Sequence, residues 1–317
     1  MTSIITGITG QDAILLASRL IQKNEKVVGV TRSDSESAIE RIPNFLKNDR
    51  MTVVQCDLSC PTSSLQLIEE HKPEKIFHFS AQSSVGLSFK EPHLTCVSIF
   101  NSTLNLLDAL RKSSKKTRFF NSASSEVFGE TPLPASPSTP HSPKSPYAVA
   151  KASAAILVAN YREAFSLFAV NGYMFNHESR FRSSSFVTHK LVHSAISIKS
   201  GQSNLINLGN VSVIRDWGWA SEYVEAIQKM IELDAPQDLI IATGVSFSLK
   251  EFAEAVFGFF DLDFKEFYRV NDQFARPLDI YCSRACIDET LIKIDWEPRT
   301  FGRDVALRLC HELTKHA

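Results

Sequence analysis

Six short runs rich in β-branched and aromatic residues, SIIT, KVVGV, MTVVQC, KIFHF, RFFNSAS and LFAVNGYMF, recur between residues 3 and 175 of the chain. Between them lie segments such as QDAILLASRLIQKN, SSLQLIEEH and STLNLLDALRKSS, whose apolar residues return three and four positions apart and so share one helix face. A strand that is apolar on both faces needs cover on both sides, and strand–helix alternation supplies it through right-handed crossovers. The pattern predicts an α/β fold built on a Rossmann-like, doubly wound parallel sheet.

Beyond residue 171 the alternation loosens into serine-rich and basic stretches such as SRFRSSSFVTHK. Residues 1–171 are therefore expected to form the main domain. Residues 172–317 mainly form a smaller α/β lobe, partly interleaved with the first, that closes over the C-terminal edge of the sheet where ligands of such folds bind. The proline-dense stretch GETPLPASPSTPHSPKSP, residues 129–146, reads either as a linker or as an ordered loop over a cleft. Its place between strong elements of one domain favours the loop.

Lysine and arginine number 34 against 35 aspartates and glutamates, a balance that suggests neither a nucleic-acid nor a membrane-surface partner. A small molecule is the expected partner. No apolar run approaches the roughly 18 residues of a membrane span, and MTSIITGITGQD lacks the pattern of a leader, so a cytoplasmic protein is expected. Cys56/Cys60 and Cys282/Cys286 could be read as zinc half-sites, although reduced thiols in or near the core are the simpler reading. His189 and His193 stand at helical spacing without the glutamate of a zinc-protease motif, so no metal is implied.

The first strand runs into TGITGQDA, with Gly7 and Gly10 at the turn into a helix. Glycines there let backbone amides and a helix N-terminus approach a pyrophosphate, which points to a dinucleotide cofactor. Arg32 stands at the end of the second strand, where a guanidinium suits a 2′-phosphate and favours NADP over NAD, and Asp34 argues the other way. Asp57, at the end of the third strand, could serve the adenine or cap a helix. SPYAVAK places Tyr147 and Lys151 four apart on one helix face, where an ammonium beside a phenol favours phenolate and hence a base near neutral pH. Ser124 and Glu126 close the strand FFNSASSEVFG, which puts a charged side chain where the strand opens into a loop.

Taken with the hydroxyl of Ser124, the glycine turn and the Tyr-x-x-x-Lys pair resemble the nucleotide-sugar branch of the extended short-chain dehydrogenase/reductase superfamily. Across nearly the whole chain the stretches GITGQD, AQSSV, SSEVFG, SPYAVAK, FAVNGYMFNHES, FVTHK, RDWGWASEYVEA and RPLDI resemble, in order, the GDP-mannose 4,6-dehydratase family. The resemblance implies conversion of a GDP-sugar, GDP-mannose or a related heptose, to its 4-keto-6-deoxy form. In that scheme Tyr147, assisted by Lys151 and Ser124, takes the 4-OH proton during C4 oxidation. Glu126 removes the C5 proton, water leaves from C6, and hydride returns to C6.

The resemblance also implies a cofactor set of Gly7, Gly10, Gln11, Asp12, Arg32, Asp57, Leu58, Phe79, Ser80, Ala81, Gln82, Ser83, Tyr147, Lys151, His177 and Arg182. It implies a substrate set of Ser83, Asn176, Val187, Lys190, Arg215 and Arg276, in which arginines can grip a pyrophosphate. Arg215 beside Asp216 could equally form an ordinary ion pair. SRFRSSSF departs from the family's Pro-Arg-Arg-Gly stretch, Leu94 replaces a tyrosine near the cofactor, and SDSESAIERI lacks the arginine–serine run that reaches a neighbouring subunit. A homodimer rather than the family's tetramer is expected. An epimerase or 4-reductase, and a non-catalytic cofactor-binding regulator, are the competing readings.

Overall fold

The computed structural model describes residues 1–271 and 277–315. The strands are β1 (Thr2–Thr6), β2 (Lys26–Thr31), β3 (Met51–Gln55), β4 (Lys75–His78), β5 (Arg118–Ser124), β6 (Ala169–Met174), β7 (Asn176–Glu178), β8 (Ile206–Leu208), β9 (Ile214–Trp219), β10 (Leu239–Ile241), β11 (Ser246–Ser248) and β12 (Tyr268–Val270). The helices that position the site are α1 (Gln11–Gln22), α2 (Ser35–Arg41), α3 (Pro61–His71), α4 (Val85–Lys90), α5 (Pro92–Cys96), α6 (Ser102–Ser113), α7 (Pro146–Phe165), α8 (Val187–Lys199), α9 (Ala220–Ile231) and α10 (Leu249–Phe259).

Among the described residues, seven strands form one sheet in the order β10-β6-β5-β4-β1-β2-β3, and every pairing in it is parallel. The order reverses between β1 and β4. This is the doubly wound sheet that the alternation predicts, and its switch point opens a crevice at the C-terminal ends of those two strands. All six apolar runs become sheet strands. Their two faces are covered as their composition requires: Ile5, Phe77, Phe120 and Val170 pack into one core with α1 and α9, while Ile4, Ile76, Phe119 and Ala169 pack into another with α3 and α6.

β10 completes the sheet from beyond residue 171, pairing Ile241 with Met174. Its three apolar residues carry no periodicity that would assign them to this sheet. Around a third core, β7, β9 and β11 form a small mixed sheet, and β8 pairs with β12. The proline-dense stretch is an ordered loop, as expected. It does not roof the cleft, however: Glu130 accepts the amides of Tyr281 and Cys282, and Ala135 bridges to Ala285. All six cysteines are free thiols, and no described helix is long and apolar enough to cross a membrane.

Candidate active site

At the end of β1 the chain turns through Gly7 at φ +71° and enters α1 at Gly10. A Cβ on Gly7 would stand 3.1 Å from the Ser80 amide nitrogen, so only glycine allows the ends of β1 and β4 to meet. No side chain caps the first turn of α1, which leaves its amides and helix dipole facing the cleft. That turn and the strand end Phe79–Ala81 open into a cleft of about 760 Å³, whose lining continues through Ser83 to Ser124, Glu126, Tyr147 and Lys151. A close backbone approach, uncapped amides and a cleft of this size fit a dinucleotide.

Ser124 ends β5 and caps a single 3₁₀ turn, Ser125–Phe128, by accepting the Glu126 amide at 3.3 Å. The turn leaves Glu126 half-buried in the cleft wall. It closes at Gly129, whose φ of +67° lets the chain pass against Ser142. Ser145 caps α7 by accepting the Ala148 amide at 3.1 Å, and Pro146 begins the helix with a fixed φ. Tyr147 and Lys151 then lie one turn apart, both buried.

Lys151 donates to the Ser122 carbonyl, and burial draws its ammonium down to about 8, opposed by the charge of Asp12. Burial pushes the Tyr147 phenol up to about 12. A hydrogen bond with Ser124 pulls the other way, and the Glu126 charge adds to the rise. Burial is the largest influence on both groups in the chain alone.

Asp12, in the first turn of α1, stands 2.9 Å from His177 Nε2, and the other ring nitrogen of His177 donates to the Phe175 carbonyl at 2.6 Å. Arg182 Nη1 and Gln11 Nε2 both donate to the His177 carbonyl, at 2.6 and 3.0 Å. Glu178, buried beside Arg182, has its carboxyl pushed up by desolvation. Asn176, Val187, Lys190 and Arg215 line the far end. Lys190 Nζ donates to the Asn207 carbonyl at 2.6 Å. Arg215 donates to the carbonyls of Ile214, Ile280 and Tyr281 and lies 3.7 Å from Asp279. The ion pair with neighbouring Asp216 does not form, because Asp216 instead accepts the amides of Thr243 and Gly244.

Arg32, Asp57, Leu58 and Gln82 lie outside the cleft lining. Arg32 and Asp57 are exposed at the adjacent ends of β2 and β3, Leu58 is buried in a core, and Gln82 donates to Thr95 and the Ser84 carbonyl. Asp57 caps no helix: it accepts from Ser59 N and Oγ, and Cys60 is the N-cap of α3. Asp34 caps α2 by accepting the Ser37 amide at 2.8 Å. Arg276 falls outside the described residues. Sequence reasoning missed Gly209, Asn210, Trp217, Leu249 and Asp279, which line the far end from β8, β9, α10 and the chain after β12. Asp279 stands in RPLDI, which already resembled the family. Trp217 stands in RDWGWASEYVEA and Gly209 and Asn210 in LGN, which resembled it too, and Leu249 carried no local signal.

The family model for GDP-mannose 4,6 dehydratase matches residues 4–306. The chain belongs to this family. Relatives include GDP-mannose 4,6 dehydratase 2 of Arabidopsis thaliana, 35% identical over 307 residues that cover 94% of this chain and 82% of the relative. The human GDP-mannose 4,6 dehydratase is 35% identical over 335 residues, covering 98% and 90%. Among solved structures, the dTDP-glucose 4,6-dehydratase of Bacillus anthracis, in complex with NAD, superposes with a TM-score of 0.85 at 17% identity, covering 99% of this chain and 97% of that one. The UDP-glucose 4-epimerase of Thermotoga maritima gives 0.87 at 19% identity, with 100% and 99% covered. At these identities the two structures share the fold.

In SRFRSSSF, aromatic contacts hold the segment. The Arg182 guanidinium lies 3.9 Å from the Phe186 ring centroid, and Phe181, in the cleft wall, meets the edge of Phe45 at 6.1 Å. Arg182 itself lines the cleft. Leu94 is exposed and outside the lining.

Proposed function

We propose that the protein is a nucleotide-sugar 4,6-dehydratase that converts GDP-mannose, or a related GDP-sugar such as a GDP-heptose, to the 4-keto-6-deoxy sugar. The observation that carries this reading is the convergence of Ser124, Glu126, Tyr147 and Lys151 on one cleft within a chain of this family. A 4-epimerase or 4-reductase works at C4 without taking the C5 proton, whereas elimination across C5 and C6 requires it, and a carboxylate on the cleft wall suits that removal. In this reading residues 1–171 hold the cofactor, and residues 172–317 mainly hold the sugar nucleotide.

When bound, the nicotinamide cofactor supplies a positive charge and reversible storage of hydride between C4 and C6. Tyr147, hydrogen-bonded to Ser124, takes the 4-OH proton. Lys151, fixed by the Ser122 carbonyl, brings positive charge to that end of the cleft. Glu126 takes the C5 proton once the 4-keto group has made it acidic, water departs from C6, and a proton returns to C5.

Gly7, Gly10, Gln11, Asp12 and Phe79–Ser83 would hold the dinucleotide, with His177 and Arg182 across from them. Arg32 favours NADP: Asp34, the residue that would argue for NAD, is engaged as a helix cap. Asn176, Val187, Lys190 and Arg215 would face the sugar nucleotide. The free cysteines suit a reducing cytoplasm. Val149 and Ile156 are exposed on α7, and this apolar face suits a homodimer, which light scattering that returns a monomer would contradict.

The test is Glu126→Gln, which keeps size and loses the base. Incubated with GDP-mannose in deuterated water, it should lose about 10²–10⁴ in the rate of water loss and in deuterium entry at C5, both read by product mass. Wild-type rates in this variant would remove Glu126 from the chemistry.

A further inference from the structure

His78 ends β4, buried between Thr6 at the end of β1 and Ser102 at the start of α6. Its Nδ1 lies 2.9 Å from Thr6 Oγ1, and its Nε2 lies 3.2 Å from Ser102 Oγ. Thr6 Oγ1 also accepts two main-chain amides, Phe79 at 3.1 Å and Ser80 at 3.0 Å.

A hydroxyl offers two lone pairs and one hydrogen. With both lone pairs of Thr6 engaged by amides, its hydrogen goes to His78 Nδ1. Ser102 directs its own hydrogen to the Ser98 carbonyl at 2.8 Å, with the Ile99 carbonyl at 3.1 Å, so its oxygen receives Nε2–H. The neutral ring with its hydrogen on Nε2 satisfies every partner in the chain of bonds.

The two amides held by Thr6 belong to the strand end that Gly7 approaches and that lines the cleft. We infer that His78 is a positioning residue for cofactor binding: as the Nε2–H tautomer it turns the Thr6 hydroxyl so that the oxygen pins the Phe79–Ser80 main chain as the floor of the cleft. Burial, with the charge of Lys151 acting in the same direction, keeps the ring neutral. The inference rests on the reading of the cleft as a nicotinamide-cofactor site. His78 itself touches no ligand in this scheme.

Two measurements test it. In the ligand-free wild-type protein labelled with ¹⁵N-histidine, long-range ¹H–¹⁵N correlation at neutral pH should give His78 the pattern of hydrogen on Nε2. Hydrogen on Nδ1, or on both nitrogens, overturns the assignment whatever the cofactor does. In titrations, Thr6→Val should weaken NADP about tenfold, the worth of one to two hydrogen bonds, leave GDP affinity unchanged, and be rescued by Thr6→Ser. Unchanged NADP affinity in a Thr6→Val protein with a lowered unfolding midpoint would reduce the triad to a structural role and overturn the inference. A wild-type protein that binds neither NADP nor NAD would overturn the cofactor reading, and this role with it.

Discussion

Asp12 and His177, 165 positions apart in sequence, meet at 2.9 Å and tie the first turn of α1 to β7 across the cleft. The Asp12 carboxylate also raises the ammonium pKa of Lys151 against the fall that burial imposes. Asp12→Asn keeps an oxygen toward His177 and loses the charge. The ammonium of Lys151 should then be lost at lower pH than in the wild type, where it stands at about 8. Titration of Lys151 by NMR checks this, and an unchanged midpoint would show that the carboxylate does not act on the lysine.

Arg32 is exposed at the end of β2 beside Asp57, whose carboxyl is lowered first by hydrogen bonds from Ser59 and further by the Arg32 charge. A charge-assisted contact with a 2′-phosphate is worth roughly 1.5–3 kcal/mol, about tenfold or more in affinity. Arg32→Ala should weaken NADP by that factor and leave NAD nearly unchanged in calorimetric titration. Equal losses for both dinucleotides would remove the reason to prefer NADP.

Gly129 holds a positive φ, and a Cβ there would run into the Ser142 carbonyl oxygen. The Ser142 amide in turn donates to Val127 at 2.8 Å, within the turn that presents Glu126. Gly129→Ala should cost about 1–3 kcal/mol of stability and lower activity along with it. Denaturant unfolding measures the first effect; a midpoint equal to wild type would show that the loop yields freely.

Asp216 is fully buried, and desolvation pushes its carboxyl up to about 6 against the hydrogen bonds from Thr243 and Gly244. Because the folded-state value lies above the unfolded one, near 3.8, the folded chain holds a proton that the unfolded chain has released. Its contribution is therefore complete below that value and is lost as pH rises through about 6, a change of roughly 3 kcal/mol for a shift of this size. Asp216→Asn should flatten this part of the pH–stability curve in urea unfolding. A slope unchanged from wild type would mean that Asp216 ionises in the fold as it does in water.

Local rules were enough to read β1 to β6, the glycine turn and the Tyr147/Lys151 pair from sequence, because strand alternation, φ freedom and one-turn helical spacing depend only on near neighbours in the chain. The membership of β10 in the main sheet was not legible: a three-residue apolar run pairs wherever an edge is open, and β6 offers that edge only after folding. Arg215 similarly turned from its sequence neighbour Asp216 to carbonyls of residues 280 and 281, since a buried guanidinium follows the acceptors that packing brings to it. The ionisation of Tyr147 and Lys151 was likewise decided by tertiary structure. Spacing put them side by side, but the removal of water from around both, which requires the whole cleft wall, set the phenol near 12 and the ammonium near 8.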